Sequence, residues 1–191
     1  MSLFDKLKNQ AVSATVNAVK QTAGKIGNKT EKIVFSALPE DLEEFKSLPQ
    51  AALSSPFDTA AMTVLALCFY PENKELSIDM LNYLRGPRPL NGMEKQFIAD
   101  RFRDKDYVPR SYFEGAKPEN DYLPNEPYTV SVSEDANSYA EEGYANLFIP
   151  SGGADSPRPV KLRLAKDGKW YLWEQYLLTG IRQPESRNPW A

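Results

Sequence analysis

The densest run of side chains able to do chemistry lies between Asp100 and Tyr112, "DRFRDKDYVPRSY". It sets Arg101, Arg103 and Arg110 among Asp104, Asp106, Tyr107 and Tyr112. Guanidinium forks suit carboxylates and phosphates, so this run can hold an anionic ligand. The commoner arrangement of such residues is a surface ion-pair network at a helix end. A second candidate is the Gly-Gly loop "SGGADSPRP", which ends near Arg158. A phosphate-cradling loop leads into a helix N-terminus and, in the Walker form, carries Lys-Ser or Lys-Thr after its glycines. Neither feature follows here, because the next residues read as a strand. The loop is expected to be a turn, its glycines taking positive backbone dihedrals. Asp155 and Ser156 then bond the local backbone, and Arg158 keeps an anion contact open. With Trp173 in the strand beyond, the candidate ligand-binding residues are Arg101, Tyr107, Arg110, Tyr112, Arg158 and Trp173.

Other chemistry is excluded by composition. The chain has no histidine, so imidazole general bases, Ser-His-Asp and Cys-His pairs and imidazole metal sites are ruled out. A single cysteine, Cys68, cannot form an internal disulfide or a Cys-based zinc site. No G-x-G-x-x-G and no EF-hand loop is present. An enzyme built from this chain would depend on carboxylates, Tyr, Lys and Arg alone. No catalytic residue, metal or cofactor is assigned.

The charge is uneven. The 191 residues carry a net −3, yet residues 1–32 hold six Lys against two acids. A basic arm therefore precedes an acidic body. That balance predicts no nucleic-acid partner. The absence of a signal-like apolar core and of paired cysteines predicts a cytoplasmic protein.

The elements that must position these residues can be read from spacing. Residues 1–26 have helical periodicity, with Lys6, Asn9, Ser13, Asn17 and Lys20 on one polar stripe. This arm, taken as 1–30, suits a loosely docked helix, a partner or a weak membrane-surface contact. Ser55-Pro56-Phe57-Asp58 reads as an N-cap, a first-position proline and a first-turn acid. The helix it opens, "FDTAAMTVLALCFY", lacks a polar face and must be buried, with Cys68 as a core thiol. "NKELSIDMLNYLRG" follows as an amphipathic helix. In the next, Asn91 and Glu94 form a capping box, and Met93, Phe97, Ile98 and Phe102 make the apolar stripe. Residues 104–127 fit no period, and their aromatics are expected to pin an irregular segment across the domain. Four strands follow, "YTVSVS", "YANLFI", "RPVKLRLA" and "KWYLWEQYL". Asp167-Gly168 predicts a type I′ hairpin, pairing Leu164 with Tyr171, Leu162 with Trp173 and Lys161 with Glu174. The last strand is apolar on both faces, so it is central or covered.

The expected fold is α+β: N-terminal helices packed on a C-terminal antiparallel sheet of about four strands. Residues 38–180 form one domain, and 181–191 are expected as a flexible tail. The stretches "FDTAAMTVLALCFYP", "DRFRDKDYVPRSYFEGAKPEN", "SGGADSPRPVKLR" and "DGKWYLWEQYLL" resemble a bacterial family of unknown function common in Gram-positive gut bacteria. The resemblance covers roughly residues 38–191 and implies no known activity. The order of elements is similar to the NTF2-like, cystatin-like architecture by analogy alone. Two functions stay open. One is a non-catalytic interaction module whose partner is a protein. The other is an anionic small-molecule binding domain, or a His-independent enzyme, with Tyr107, Arg110, Tyr112 and Trp173 lining a pocket between helices and sheet.

Overall fold

The computed structural model describes residues 28–190. Nearly all of the arm expected over 1–30 lies outside them. The fold is α+β. Helices α1 (Leu42–Ser47), α2 (Pro56–Cys68), α3 (Lys74–Arg85) and α4 (Gly92–Phe102) precede most of a five-stranded antiparallel sheet. Its strands are β1 (Thr30–Phe35), β2 (Tyr128–Ser133), β3 (Tyr144–Ile149), β4 (Arg158–Leu164) and β5 (Trp170–Gln175), in that spatial order.

Strand β1 was not among the four expected, and it begins upstream of the 38 boundary. Ile33 and Phe35 point into the core while Lys32 and Val34 point out. Only two inward apolar residues mark its period, and Lys29 and Lys32 read as more of the basic arm.

Helix α2 touches all five strands. Ser55 caps it, accepting the Phe57 N–H at 3.2 Å, as its sequence requires. Every residue from Ala60 to Leu67 is buried, so the missing polar face is explained by enclosure. Its buried hydroxyls are satisfied. Thr63 donates to the Thr59 carbonyl at 2.8 Å, and Thr59 donates to the Trp170 carbonyl at 2.7 Å. Full burial of each large aliphatic or aromatic side chain contributes roughly 1.5–3 kcal/mol. Helix α2 is thus the anchor on which the sheet curls.

The sheet splays between β2 and β3, which pair only at Ser133 and Phe148. Residues 111–116 enter the gap. Phe113 bridges Val130, the Glu114 N–H donates to the Thr129 carbonyl at 2.9 Å, and the Gly152 N–H donates to the Ser111 carbonyl at 2.9 Å. Tyr107, Tyr112, Phe113 and Tyr122 are buried, so the irregular segment is pinned by its aromatics.

The segment after Gly180, expected as a flexible tail, is tied back to the body. The Arg182 N–H donates to the Gly153 carbonyl, and Arg182 pairs with Asp155 at 2.7 Å. Arg187 grips Asp106 at 2.6 and 3.1 Å and lies over the Tyr107 ring. The Arg187 guanidinium holds the Asp106 carboxyl below its usual range. A depressed carboxylate contributes stability above its unfolded pKa and loses it as pH falls through the folded value. Tail docking is therefore expected to weaken only in acid. Carboxyl NMR titration should find Asp106 below ordinary aspartates, and Arg187→Ala should raise it toward them. An Asp106 pKa unchanged by that substitution would remove the latch.

Candidate functional site

The β4–β5 hairpin forms at Asp167-Gly168, but its geometry differs from the expected type I′ turn. Only Gly168 has a positive φ, +81°, while Asp167 does not. The Gly168 N–H donates to the Ala165 carbonyl at 3.0 Å, and the Ala165 N–H to the Lys169 carbonyl at 2.9 Å. That is a type I turn closed by a left-handed glycine. The register follows from it. Leu162 faces Leu172, Arg163 faces Tyr171 and Leu164 faces Trp170, whereas Lys161 faces Glu174 as expected. A bulge lies between Lys161 and Leu162, and Trp173 has no opposite residue. The expected Leu162–Trp173 contact is replaced by Leu162–Leu172, both buried.

Bulges re-aim side chains, and this one aims Trp173 away from the core. Trp173 lines a groove of about 360 Å³ between α4 and β5. Met93, Phe97 and Ile98 form one wall, Leu172, Trp173 and Tyr176 the other, and Leu81 and Arg85 sit beneath. Half of the apolar stripe expected to point inward on α4 does not. Ile98 and Phe102 are buried, but Met93 is 85% exposed and Phe97 45% exposed.

The polar support of the groove is a guanidinium pair. Arg85, only 6% exposed, donates to the Arg88 carbonyl at 2.9 Å, the Trp173 carbonyl at 3.3 Å and Glu94 Oε1 at 2.7 Å. Arg88 also donates to the Trp173 carbonyl, at 3.4 Å. The carbonyl of the bulged residue is thereby satisfied, and the outer edge of β5 is covered there. Farther along, the Trp170 N–H donates to the Leu53 carbonyl at 2.8 Å. A last strand apolar on both faces is thus a covered edge. Glu94 serves twice, because its Oε2 accepts the Asn91 N–H at 2.9 Å and completes the capping box. Burial lowers the Arg85 pKa and Glu94 opposes that shift, which leaves the guanidinium charged.

Around the Trp173 ring lie two cations. The Arg88 guanidinium is 4.3 Å from the ring centre and that of Arg163 is 5.0 Å away. Tyr144 meets Trp173 edge-on at 5.6 Å, and Lys161 and Arg163 lie over the Tyr144 ring. Neither Arg88 nor Arg163 was singled out from sequence. The signal was present in the alternation of Lys161 and Arg163 on β4, but the bulge that brings Trp173 beside them was not.

The other candidates do not converge on this groove. Arg101 is exposed and lies over Phe97 at 4.8 Å. Tyr107 is buried and stacks on Tyr122 at 5.5 Å, and Arg110 is exposed. The Tyr112 hydroxyl donates to the Leu177 carbonyl at 2.6 Å, and burial raises its pKa. Arg158 donates to the Thr179, Ser156 and Gly180 carbonyls at 2.8–3.0 Å. Tyr112 and Arg158 therefore staple the chain after β5. Within the Asp100–Tyr112 run, Arg103 pairs with Asp100 at 3.2 Å, and both are exposed. The glycines of the 151–159 loop take no positive φ. They serve close packing instead. A Cβ on Gly152 would lie 1.9 Å from the Ala116 carbonyl oxygen, and one on Gly153 2.0 Å from the Tyr122 hydroxyl.

Burial pushes the half-buried Cys68 thiol up to about 12, with Arg110 lowering it by less. The thiolate is the reactive form, so native Cys68 is expected to resist iodoacetamide at pH 8. Labelling as fast as in the urea-unfolded chain would contradict this burial. Among the described residues, no group of three metal-ligating side chains comes together, and no helix is long and apolar enough to cross a membrane.

Comparison with curated proteins and with solved structures finds no match. Residues 37–185 match a family model described as a domain of unknown function (DUF6935), and the chain belongs to that family.

Proposed function

We propose that the domain is a non-catalytic interaction module of a cytoplasmic bacterial protein, and that it takes a protein segment into the groove between α4 and β5. The observation that carries this reading is the outward pair Met93 and Phe97, one helical turn apart, facing Trp173 and Tyr176 across the groove. Large apolar side chains gathered in one exposed concavity mark interaction sites more often than singly scattered ones do. Trp, Tyr and Arg are also the residues on which binding energy concentrates. The Arg85–Glu94 pair fixes both walls, so the groove is held ready for its occupant.

Peptide display against the immobilised full chain tests the reading. Wild type is expected to enrich peptides with apolar anchors, and Phe97→Asp to lose them at unchanged melting temperature. Enrichment of the same peptides by both proteins, or of none by wild type, overturns the proposal.

A further inference from the structure

We infer that the segment taken by this groove carries an internal Asp or Glu beside its apolar anchor, and that Arg163 binds that carboxylate. This rests on the groove reading above. Arg85 and Arg88 share Glu94, at 2.7 and 3.5 Å. Lys161 pairs with Glu141 at 2.6 Å. Glu174 accepts from the Tyr176 hydroxyl at 2.9 Å and lies opposite Lys161. Arg163 has no carboxylate within salt-bridge distance among the described residues. It is exposed and donates to the Tyr144 hydroxyl.

Its guanidinium lies over two aromatic rings, at 4.8 Å from Tyr144 and 5.0 Å from Trp173. Contact with both rings and the bond to Tyr144 restrain the guanidinium while its other N–H groups stay open, so less entropy is lost when a carboxylate arrives. The site therefore offers an apolar indole beside a preset cation. Its complement is an acid one side chain away from an apolar residue. Arg163 does not itself line the groove but lies past Trp173. An internal acidic side chain reaches it while the main chain continues along the groove. The chain's own arm does set an acid beside an apolar residue, at Phe4-Asp5, but its four Lys in residues 1–27 make its net charge positive, a poor match for Arg163.

The test repeats the display selection on wild type, Arg163→Glu and Arg163→Gln, with Phe97→Asp as control. Wild type is expected to enrich Asp or Glu next to the apolar anchor, and Arg163→Glu to enrich Lys or Arg there. In a synthetic peptide from the wild-type pool, Asp→Asn is expected to weaken binding about tenfold, the effect of losing one charge-assisted bond. Arg163→Gln should bind both peptides alike. Apolar peptides without acid, lost in Phe97→Asp but indifferent to Arg163, overturn the inference and leave the groove reading standing. Enrichment indifferent to Phe97→Asp overturns both. Acids found only as the free C-terminus, saturable binding of a 1–27 peptide, or a dimer abolished by Phe97→Asp would assign the groove to another occupant and overturn the inference.

Discussion

Leu65→Ala is expected to cost about 2–5 kcal/mol of folding stability, the range for truncating a fully buried leucine. Leu65 is 0% exposed and lies in the C-terminal half of α2, the helix in contact with every strand. Two losses add. The removed methyl groups forfeit their transfer free energy, and the space they leave is lined by side chains that close in only partly. Collapse is hindered here because the neighbours on both sides belong to elements fixed elsewhere. The Thr59 hydroxyl ties α2 to the Trp170 carbonyl, and the Ser77 hydroxyl of α3 ties to the Ala66 carbonyl at 2.8 Å. Met93→Ala is the matched contrast. That side chain is exposed, so its removal should change stability by no more than about 0.5 kcal/mol. Urea denaturation of both variants measures the difference. A loss under about 1 kcal/mol for Leu65→Ala would remove α2 from the centre of the fold.

Much of this architecture was legible in the sequence because it is set locally. Ser55-Pro56 and the Asn91–Glu94 box mark helix starts through bonds between residues two or three apart. The position of the turn at Asp167-Gly168 is equally local, but its three-residue loop shifts the adjacent pairs by one from the expected register. What failed to show depends on partners distant in sequence. The bulge at Trp173 leaves a carbonyl that Arg85 and Arg88 satisfy from more than 80 residues away. No hydrophobic period records such a contact, nor the extra residue that returns the pairing beyond it to Lys161–Glu174. A turn read one residue too short is why Trp173 was expected opposite Leu162, and the bulge is what leaves it unpaired at the groove. The outward half of α4 was hidden for the opposite reason. Met93 and Phe97 obey the helical period of core residues, and only the absence of a covering element tells them apart.

The loop glycines give the second large expected effect, and the substitution that tests it is Gly152→Ala. The usual argument for a loop glycine is conformational, and it fails here because Gly152 has no positive φ. The constraint is space. The added methyl would lie 1.9 Å from the Ala116 carbonyl oxygen and 3.0 Å from its carbon, both backbone atoms. No side-chain rotamer can relieve that overlap. The Gly152 N–H is bonded to the Ser111 carbonyl, so the loop cannot lift without losing the contact that closes the sheet's splay. A cost of about 3 kcal/mol, the upper part of the range for overpacking, is expected. Gly168 is the control, because its surroundings are open and its φ is +81°. Gly168→Ala should cost about 1 kcal/mol, the penalty of the left-handed region, and Gly168→Asn less, since Asn tolerates it. At position 152 the order is reversed, and Asn, being larger, should do no better than Ala. The same urea midpoints decide the matter. If Gly152→Ala folds with unchanged stability, the loop moves freely against Ala116. The stretch that sequence alone leaves between turn and anion cradle would then be open again.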